Sequence, residues 1–173
     1  IFTRSLPDPE HATHVFDGWW TAAEGGELVT GDMVITEPDN GEYFTFYAHW
    51  LESYTVTLDP GEGSLTTKTY LVAKGQAFGT AVGSMPVASQ YAYHHFNSWI
   101  DANGEKLTMD TVINGDVTYY ATWNPNTAKV VFYANGGEGT MEDQIITYGD
   151  DQPLTKCAFT HIGYRFQGWA TSS

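Results

Sequence analysis

The sequence predicts a mainly β protein with little helix, built from small tandem units of about 70 residues. Three observations lead to this fold class. Short aromatic motifs recur in a constant order, stretches rich in β-branched and aromatic residues alternate with Gly-containing turns, and only residues 78–87 and the stretch after residue 154 leave room for a short helix. Hydrophobic residues make up 42% of the chain, so we expect a folded protein with a core.

The clearest repeat is the motif Phe-x-x-Trp, which occurs at residues 16–19, 96–99 and 166–169. The motif Tyr-Ala-x-Trp occurs at residues 47–50 and again at residues 120–123, with a similar spacing. Because each unit must bury the same hydrophobic face, equivalent aromatic residues are expected in the core. The predicted core residues are Phe16, Trp19, Trp50, Phe96, Trp99, Trp123, Phe166 and Trp169.

A third pattern sets the order within a unit. The stretches that contain Val56 and Val130 each run into a Gly-rich turn, and each precedes a Phe-x-x-Trp motif. Three domains are predicted on this basis. Residues 1–52 form a first unit with only the back part of this order, residues 53–126 form a complete second unit, and residues 127–173 form a third unit with only the front part.

Local chemistry predicts the strands and the turns between them. Strands are predicted where aromatic and β-branched residues are dense, at residues 43–47, 54–58, 117–120 and 130–133. Asn-Gly pairs, which tolerate positive φ in tight turns, occur at residues 40–41, 103–104, 114–115 and 135–136. A turn-rich insertion is predicted at residues 36–41, and short linkers that restrict the angle between units are predicted at residues 51–53 and 124–127.

Charge excludes two classes of partner. Lys and Arg number 7 against 21 Asp and Glu, which gives a net charge of -14 and a sequence pI near 4.5. Phosphate binding draws on Lys and Arg, so neither nucleic acid nor an anionic membrane surface is an expected partner. The acidic balance is typical of a soluble extracellular protein, although many cytoplasmic proteins are also acidic.

The single cysteine, Cys157, excludes an intrachain disulfide and is expected to be a small packing residue. No apolar run approaches the length that crosses a bilayer, so no membrane insertion is expected in this segment. The N-terminal residues lack the apolar core of a signal peptide, which indicates either that a signal was removed or that the chain is part of a longer one.

The sequence predicts no catalytic residues, no metal ligands and no cofactor. No Gly-x-Ser-x-Gly motif is present. His11 with His14, and His94 with His95, do not supply a zinc-ligand spacing. The carboxylates at residues 150–151 and at Asp39 and Glu42 do not follow a calcium-binding spacing, so solvated turns are expected there.

Trp20 is the aromatic residue most open to a binding role. It follows Trp19, so on a strand it points to the opposite face, where other units carry Ile100 and Ala170. An exposed Trp20 together with Tyr91 or Tyr93 could stack on a sugar ring or contact a protein. The alternative is that Trp20 packs against the next unit.

These motifs resemble the internalin-type B-repeat family, also called the Listeria-Bacteroides repeat. Residues 130–137 match its Val-Thr-Phe-x-x-Asn-Gly-Gly strand, residues 147–149 its Tyr-Gly strand end, and residues 163–169 its Gly-Tyr-x-Phe-x-Gly-Trp core. The chain departs from the Gly-Tyr pattern at His14 and His94, which we expect to fill the place of Tyr164 in the third unit. It departs again at Ser98, which replaces a glycine, so the second unit is a divergent copy.

The resemblance implies β-grasp-like units of the size that the repeats indicate, found in surface and secreted bacterial proteins. The expected function is that of a non-catalytic module of a bacterial cell-surface protein, acting as a stalk, spacer or adhesive. One alternative is a carbohydrate- or protein-binding module that uses exposed aromatic residues. Another is a filament subunit whose partial units are completed by strand exchange between molecules. The expected partners are a protein or glycan at the cell surface, or further copies of the chain.

Overall fold

A computed structural model describes residues 6–31, 33, 44–63, 66–89 and 91–171 of the chain. Nearly all regular structure in these residues is β, which confirms the prediction of a mainly β fold with little helix. The helical content described is one 3-10 turn, Phe78–Thr80, within the stretch where a short helix was expected. The strands are β1 (His14–Trp20), β2 (Tyr47–Asp59), β3 (Lys68–Ala73), β4 (His94–Ile100), β5 (Val117–Pro125), β6 (Thr127–Val130) and β7 (Gln144–Thr147).

Strand β2 organises the larger sheet because it takes part in two sets of pairings. Its first half pairs antiparallel with β1. Its second half pairs antiparallel with β3 on one side and parallel with β5 on the other. Strand β4 then pairs antiparallel with β5, and β6 and β7 form a separate two-stranded sheet.

The predicted linkers are wrong. Residues 51–53 lie inside the long strand β2. Only Asn126 separates β5 from β6. Neighbouring units are therefore joined by strand rather than by a flexible linker. The first half of β2 pairs with β1, and its second half already pairs with β3.

The two front hairpins, β2–β3 and β6–β7, have the same register. Ser53 lies opposite Ala73 in β2–β3, and Thr127 lies opposite Thr147 in β6–β7. The backbone bonds that follow also correspond. The Lys74 amide donates to the Glu52 carbonyl oxygen at 2.8 Å, and the Tyr148 amide donates to the Asn126 carbonyl oxygen at 2.8 Å. The repeat in the sequence is therefore a repeat in backbone pairing.

The two back hairpins are formed by β1 with the first half of β2 and by β4 with β5. Each contains a β-bulge, and this bulge explains the Phe-x-x-Trp spacing. On a regular strand, side chains alternate between faces, so the Phe and the Trp of this motif would point to opposite sides. An extra residue between Phe16 and Gly18 in β1, and between Phe96 and Ser98 in β4, shifts the register. The shift places the Phe and the Trp of each motif on one face, beside the tryptophan of the facing strand.

The main hydrophobic core lies in the second unit. Among the described residues, its best-buried side chains include Val56 and Phe78, both at 0% exposure, and Leu58 at 2%. The whole buried cluster is Val56, Leu58, Val72, Phe78, Ala88, Trp99, Leu107, Ile113 and Tyr119.

Two strand predictions are wrong in extent. Strand β6 ends at Val130, whereas residues 130–133 were predicted as strand. In the second unit, the equivalent residues continue as strand because β5 pairs with them, from Val56 opposite Val117 onward. No described strand does this for β6. Residues 44–46 are not strand either, while residue 43 and the predicted insertion at residues 36–41 lie outside the described residues.

Candidate functional site

Each complete back hairpin holds a cluster of three aromatic rings. In the first unit, Phe16 contacts Trp19 at 5.7 Å and Trp50 at 5.5 Å between ring centroids. In the second unit, Phe96 contacts Trp99 at 5.3 Å and Trp123 at 6.0 Å. Trp99 is 4% exposed, while the other rings of these two clusters are half-buried.

The indole N–H of the Phe-x-x-Trp tryptophan has the same kind of partner in all three units, a backbone carbonyl in the connection upstream. Trp19 donates to the Pro7 oxygen at 3.0 Å, Trp99 to the Pro86 oxygen at 2.7 Å, and Trp169 to the Thr155 oxygen at 3.1 Å. A buried indole N–H needs such a partner. In the first two units, where the motif lies in β1 and β4, the tryptophan therefore attaches the irregular connection to the β-sheet.

A pair of stacked or edge-on rings precedes each tryptophan motif. The second ring of each pair is His14, His94 or Tyr164, the three residues that the sequence predicts to occupy equivalent places. The pairs are His11–His14 at 4.7 Å, Tyr91–His94 at 4.4 Å and His161–Tyr164 at 4.2 Å. In the first two units, the first ring also packs on the closing tryptophan, at 5.1 Å for Trp50 and 5.5 Å for Trp123.

The junction between the first and second units contains an ion pair. Lys74 Nζ lies 2.8 Å from Glu52 Oε2, and Ser53 Oγ donates to the Thr13 carbonyl oxygen at 2.8 Å. The hydrogen bond from Lys74 holds the pKa of Glu52 below its ordinary value, and the bond to Glu52 raises the pKa of Lys74. Both side chains are exposed, so solvent and salt weaken this pair.

The junction between the second and third units is aromatic. Tyr93 stacks on Tyr148 with ring centroids 4.5 Å apart, and His94 meets Tyr148 edge-on at 5.6 Å. The Asn126 amide donates to the Tyr93 carbonyl oxygen at 2.7 Å. Tyr148 was not predicted from the sequence as a functional residue, because its partners come from another unit.

The sequence left open whether Trp20 is exposed or packed, and the structure gives it close neighbours. The indole is half-buried and stacks on His49 with centroids 4.8 Å apart and planes 10° from parallel. An isolated bridge between Trp20 and Leu28 brings the chain after β1 back beside the ring. Its Nε1 is buried and has no hydrogen-bond partner among the described residues. The pairing that covers this face could not be read from strand alternation.

Tyr91 and Tyr93 differ from each other in environment. Tyr91 is half-buried, and its hydroxyl donates to Glu62 Oε2 at 2.5 Å, which raises the pKa of Tyr91. Tyr93 is 63% exposed. Neither shares an aromatic contact with Trp20 among the described residues. In the described part of the chain, Trp20, Tyr91 and Tyr93 thus each contact different aromatic rings and do not form one aromatic group.

The third unit presents an open groove with a volume of about 1240 Å³. Its lining includes Phe132, Tyr133, Phe166 and Trp169. Phe132 is buried, but Phe166 is 49% exposed and Tyr133 is 80% exposed. The prediction of Phe166 as a core residue is therefore wrong, because no described residue takes the place that Trp123 occupies beside Phe96.

Other candidate chemistry is sparse in the described part of the chain. No group of three or more His, Cys, Asp or Glu side chains there is arranged to hold a metal ion. The residues at Asp39 and Glu42 lie outside the described ranges. Cys157 is half-buried, with Sγ 3.8 Å from the Phe159 carbonyl oxygen. Across the same described residues, no helix has the length and apolar character to cross a membrane.

The fold and its aromatic clusters define a β-sheet protein whose hairpins recur in register. Residues 129–173 match the family model of the Listeria-Bacteroides repeat domain. A Gly-rich membrane protein of Evansella cellulosilytica is 30% identical over 175 residues, an alignment that covers 96% of this chain and 18% of that protein. The chain thus spans about a fifth of the length of this curated relative. No solved structure matches the chain.

Proposed function

We propose that the chain is a non-catalytic spacer segment of a bacterial surface protein, built from three B-repeat units of the internalin type. The family match at residues 129–173 and the membrane protein similar to the chain support this assignment. The observation that carries the spacer role is strand β2, which pairs with β1 of the first unit and with β3 and β5 of the second.

A shared strand restricts the angle between neighbouring units. A flexible linker would allow rotation at each free φ and ψ, whereas residues 51–53 form ladder pairs with β1 or β3. The Lys74–Glu52 pair and the Ser53–Thr13 bond add contacts across the same junction. A segment of this kind transmits position and force along its length and keeps whatever it carries at a set distance.

The test is the width of the distance distribution between spin labels on the two units, measured by pulsed electron resonance. Labels attached through Asp17→Cys and Asn97→Cys, in a Cys157→Ala background, stand at the two bulges. We expect one narrow distribution. A matched control carries a Gly-Ser insertion between Glu52 and Ser53, which interrupts β2 and should broaden the distribution. A broad distribution without the insertion would contradict the spacer function.

A second candidate function, binding of a protein or glycan at the cell surface, has one observation in its favour. Tyr93 and Tyr148 are 63% and 50% exposed and stack on each other, and exposed aromatic faces are suited to stacking on sugars or on partner side chains. Screening a glycan panel with the chain and with the Tyr93→Ser variant separates this role from a pure spacer. Only a ligand that is lost in the variant supports binding at this junction.

The filament alternative has a structural obstacle. The first unit would have to offer residues 47–52 to the third unit of another copy, but those residues already pair with β1 through Phe16 opposite Trp50. A unit joined from the third unit of one molecule and the first unit of another would also contain two Phe-x-x-Trp segments, residues 166–169 and 16–19, where the second unit contains one. Light scattering of purified chain over a wide concentration range tests this alternative, and we expect a monomer.

A further inference from the structure

Tyr93 has a backbone conformation that residues with a bulky side chain rarely adopt. Among the described residues, two residues other than glycine have positive φ, Tyr93 at +59° and Asn135 at +45°. Asparagine tolerates this left-handed region because its short polar side chain can hydrogen-bond locally, whereas a tyrosine is strained there. Such strain persists only where the surrounding structure holds it, so a strained residue is a candidate for a functional role.

The turn that contains Tyr93 has a counterpart in the third unit. The amide of the fourth residue donates to the carbonyl oxygen of the first at 3.1 Å in residues 91–94 and at 3.0 Å in residues 161–164. In both turns the third residue has positive φ, which is +59° at Tyr93 and +79° at Gly163. Turns that require positive φ at this position usually carry glycine. The second unit therefore has a tyrosine where the backbone of the turn favours glycine.

Burial does not explain this tyrosine, because Tyr93 is 63% exposed. Its contacts lie instead at the junction with the third unit. The ring stacks on Tyr148 with centroids 4.5 Å apart and planes 16° from parallel. The carbonyl oxygen of Tyr93 accepts a bond at 2.7 Å from the amide of Asn126, which is the residue between β5 and β6. Both the ring and the backbone of Tyr93 therefore contact the junction.

The junction between the first and second units is held by different chemistry. Thr13 occupies the equivalent place in the first unit and is not among the residues with positive φ. Its carbonyl oxygen accepts a bond from Ser53 Oγ at 2.8 Å, and the Lys74–Glu52 ion pair stands in place of stacked rings. The strained residue thus occurs at the junction where an aromatic partner, Tyr148, is present.

We propose that Tyr93 is a locking residue, held in a strained backbone conformation, whose ring fixes the orientation of the third unit against the second. A glycine would suit the turn better but would lose the ring stack on Tyr148. This inference rests on the proposed function, since a spacer keeps a set distance only if each of its junctions is rigid. It concerns a different junction from the one at which the spacer function is tested.

Pulsed electron resonance between labels on the second and third units tests the lock. The labels are attached through Asn97→Cys in β4 and Ile145→Cys in β7, where Ile145 is 54% exposed, in a Cys157→Ala background. We expect a narrow distance distribution in the parent chain and a broader one in Tyr93→Gly. The thermal midpoint of Tyr93→Gly should stay the same or rise, because glycine relieves the backbone strain.

Further variants separate the ring from the backbone. Tyr93→Phe keeps the ring and should leave the distribution narrow, whereas Tyr93→Asn tolerates the positive φ without a ring and should broaden it. Tyr148→Ala should also broaden the distribution, and combining it with Tyr93→Gly should add nothing, because both remove the same contact. Tyr120→Ser is the matched control, since it removes a tyrosine that is 47% exposed on β5, and it should have no effect.

The proposal is overturned if Tyr93→Gly leaves the distribution narrow, or if the distribution of the parent chain is already broad. A fall in the thermal midpoint of Tyr93→Gly would also overturn it, because Tyr93 would then support the fold of the second unit rather than the junction. The labels at residues 17 and 97 measure the other junction, so the spacer function stands or fails on its own measurement.

Discussion

Trp99 shows how one side chain can join two kinds of structure. Its ring is 4% exposed in the core, while its indole N–H donates to the Pro86 oxygen at 2.7 Å. The ring contributes through burial of apolar surface, and the N–H satisfies a carbonyl in the irregular connection. Trp19 makes the same bond at 3.0 Å but is only half-buried, so the two residues form a natural comparison.

We predict that Trp99→Phe lowers the free energy of unfolding by about 2 kcal/mol, through loss of the hydrogen bond and of part of the ring. Trp19→Phe should cost less, because its environment is more exposed. Guanidinium denaturation of both variants measures the two effects. An equal loss in both would show that burial does not decide the contribution of this motif.

Asp101 gives a pH-dependent prediction. Its carboxylate accepts bonds from the Glu105 amide at 2.8 Å and the Asn103 amide at 2.9 Å, and the bond from Glu105 is the main reason that its pKa lies below the ordinary value. A lowered pKa in the folded state means a stabilising contribution that is present above the unfolded-state pKa. That contribution is lost as the pH falls through the folded-state pKa.

We therefore expect Asp101→Asn to lower stability at neutral pH, with a difference from the parent chain that shrinks in the acid range below the ordinary aspartate pKa. Thermal unfolding as a function of pH measures this difference. Asp110→Asn, at an exposed position in the same unit, removes the same charge and is the control. A difference that stays constant down to low pH would refute the proposed role of the Asp101 carboxylate.

At the scale of elements, the bulge of β4 explains why serine replaces glycine there. Ser98 is 7% exposed, and its hydroxyl lies 2.9 Å from Thr122 Oγ1. Thr122 also donates to the Ser98 carbonyl oxygen at 2.9 Å. The first unit has Gly18, with φ of +118°, at this place. A Cβ there would lie 2.6 Å from the side chain of Leu28, so the residue at each bulge is fitted to its own neighbours.

A double-mutant cycle tests the coupling across the β4 bulge. Ser98→Ala and Thr122→Val each remove a partner of the same hydrogen bonds, so the double variant should lose about 1 kcal/mol less than the sum of the single losses. Chemical denaturation supplies the four free energies of unfolding. Ser98→Ala combined with Thr111→Val, which interrupts a separate bond to Thr108, should be additive. Additivity in both cycles would rule out coupling at the bulge.

At the scale of the whole molecule, the burial of side chains is concentrated in the second unit. The buried cluster lies within residues 56–119, and β5 joins the front and back hairpins of that unit. The β6–β7 hairpin is built from two short strands. Short two-stranded sheets without a covering layer are marginal in water.

We predict that amides in β4 and β5 exchange with solvent at least about 100-fold more slowly than those in β6 and β7, which corresponds to a difference in opening free energy of about 3 kcal/mol. Native-state hydrogen exchange read by NMR gives both sets of rates. We also expect the fragment of residues 53–126 to keep the slow set. Equal exchange in the two regions would mean that the second and third units open together.

Much of the fold could be predicted from the sequence because the repeat positions are marked by residue types. The recurrence of Phe-x-x-Trp and Tyr-Ala-x-Trp pointed to equivalent aromatic positions in each unit, and the β-branched stretches pointed to a mainly β fold. The bulge could not be predicted, because the spacing of Phe16 and Trp19 gives no common face on a regular strand. Whether Trp20 is exposed or packed was left open by the sequence, because Leu28 and His49 come beside it only after pairing.

The sequence by itself determined the period, the aromatic positions, the turn residues and the mainly β class, since these depend on local side-chain chemistry and on patterns within the chain. Only the tertiary structure decided that β2 and β5 run parallel, that the expected linkers are strand, and that Phe166 is exposed while Trp99 is buried. These features depend on contacts between residues far apart in the chain. Burial of any one side chain is set by the neighbours that those contacts bring to it.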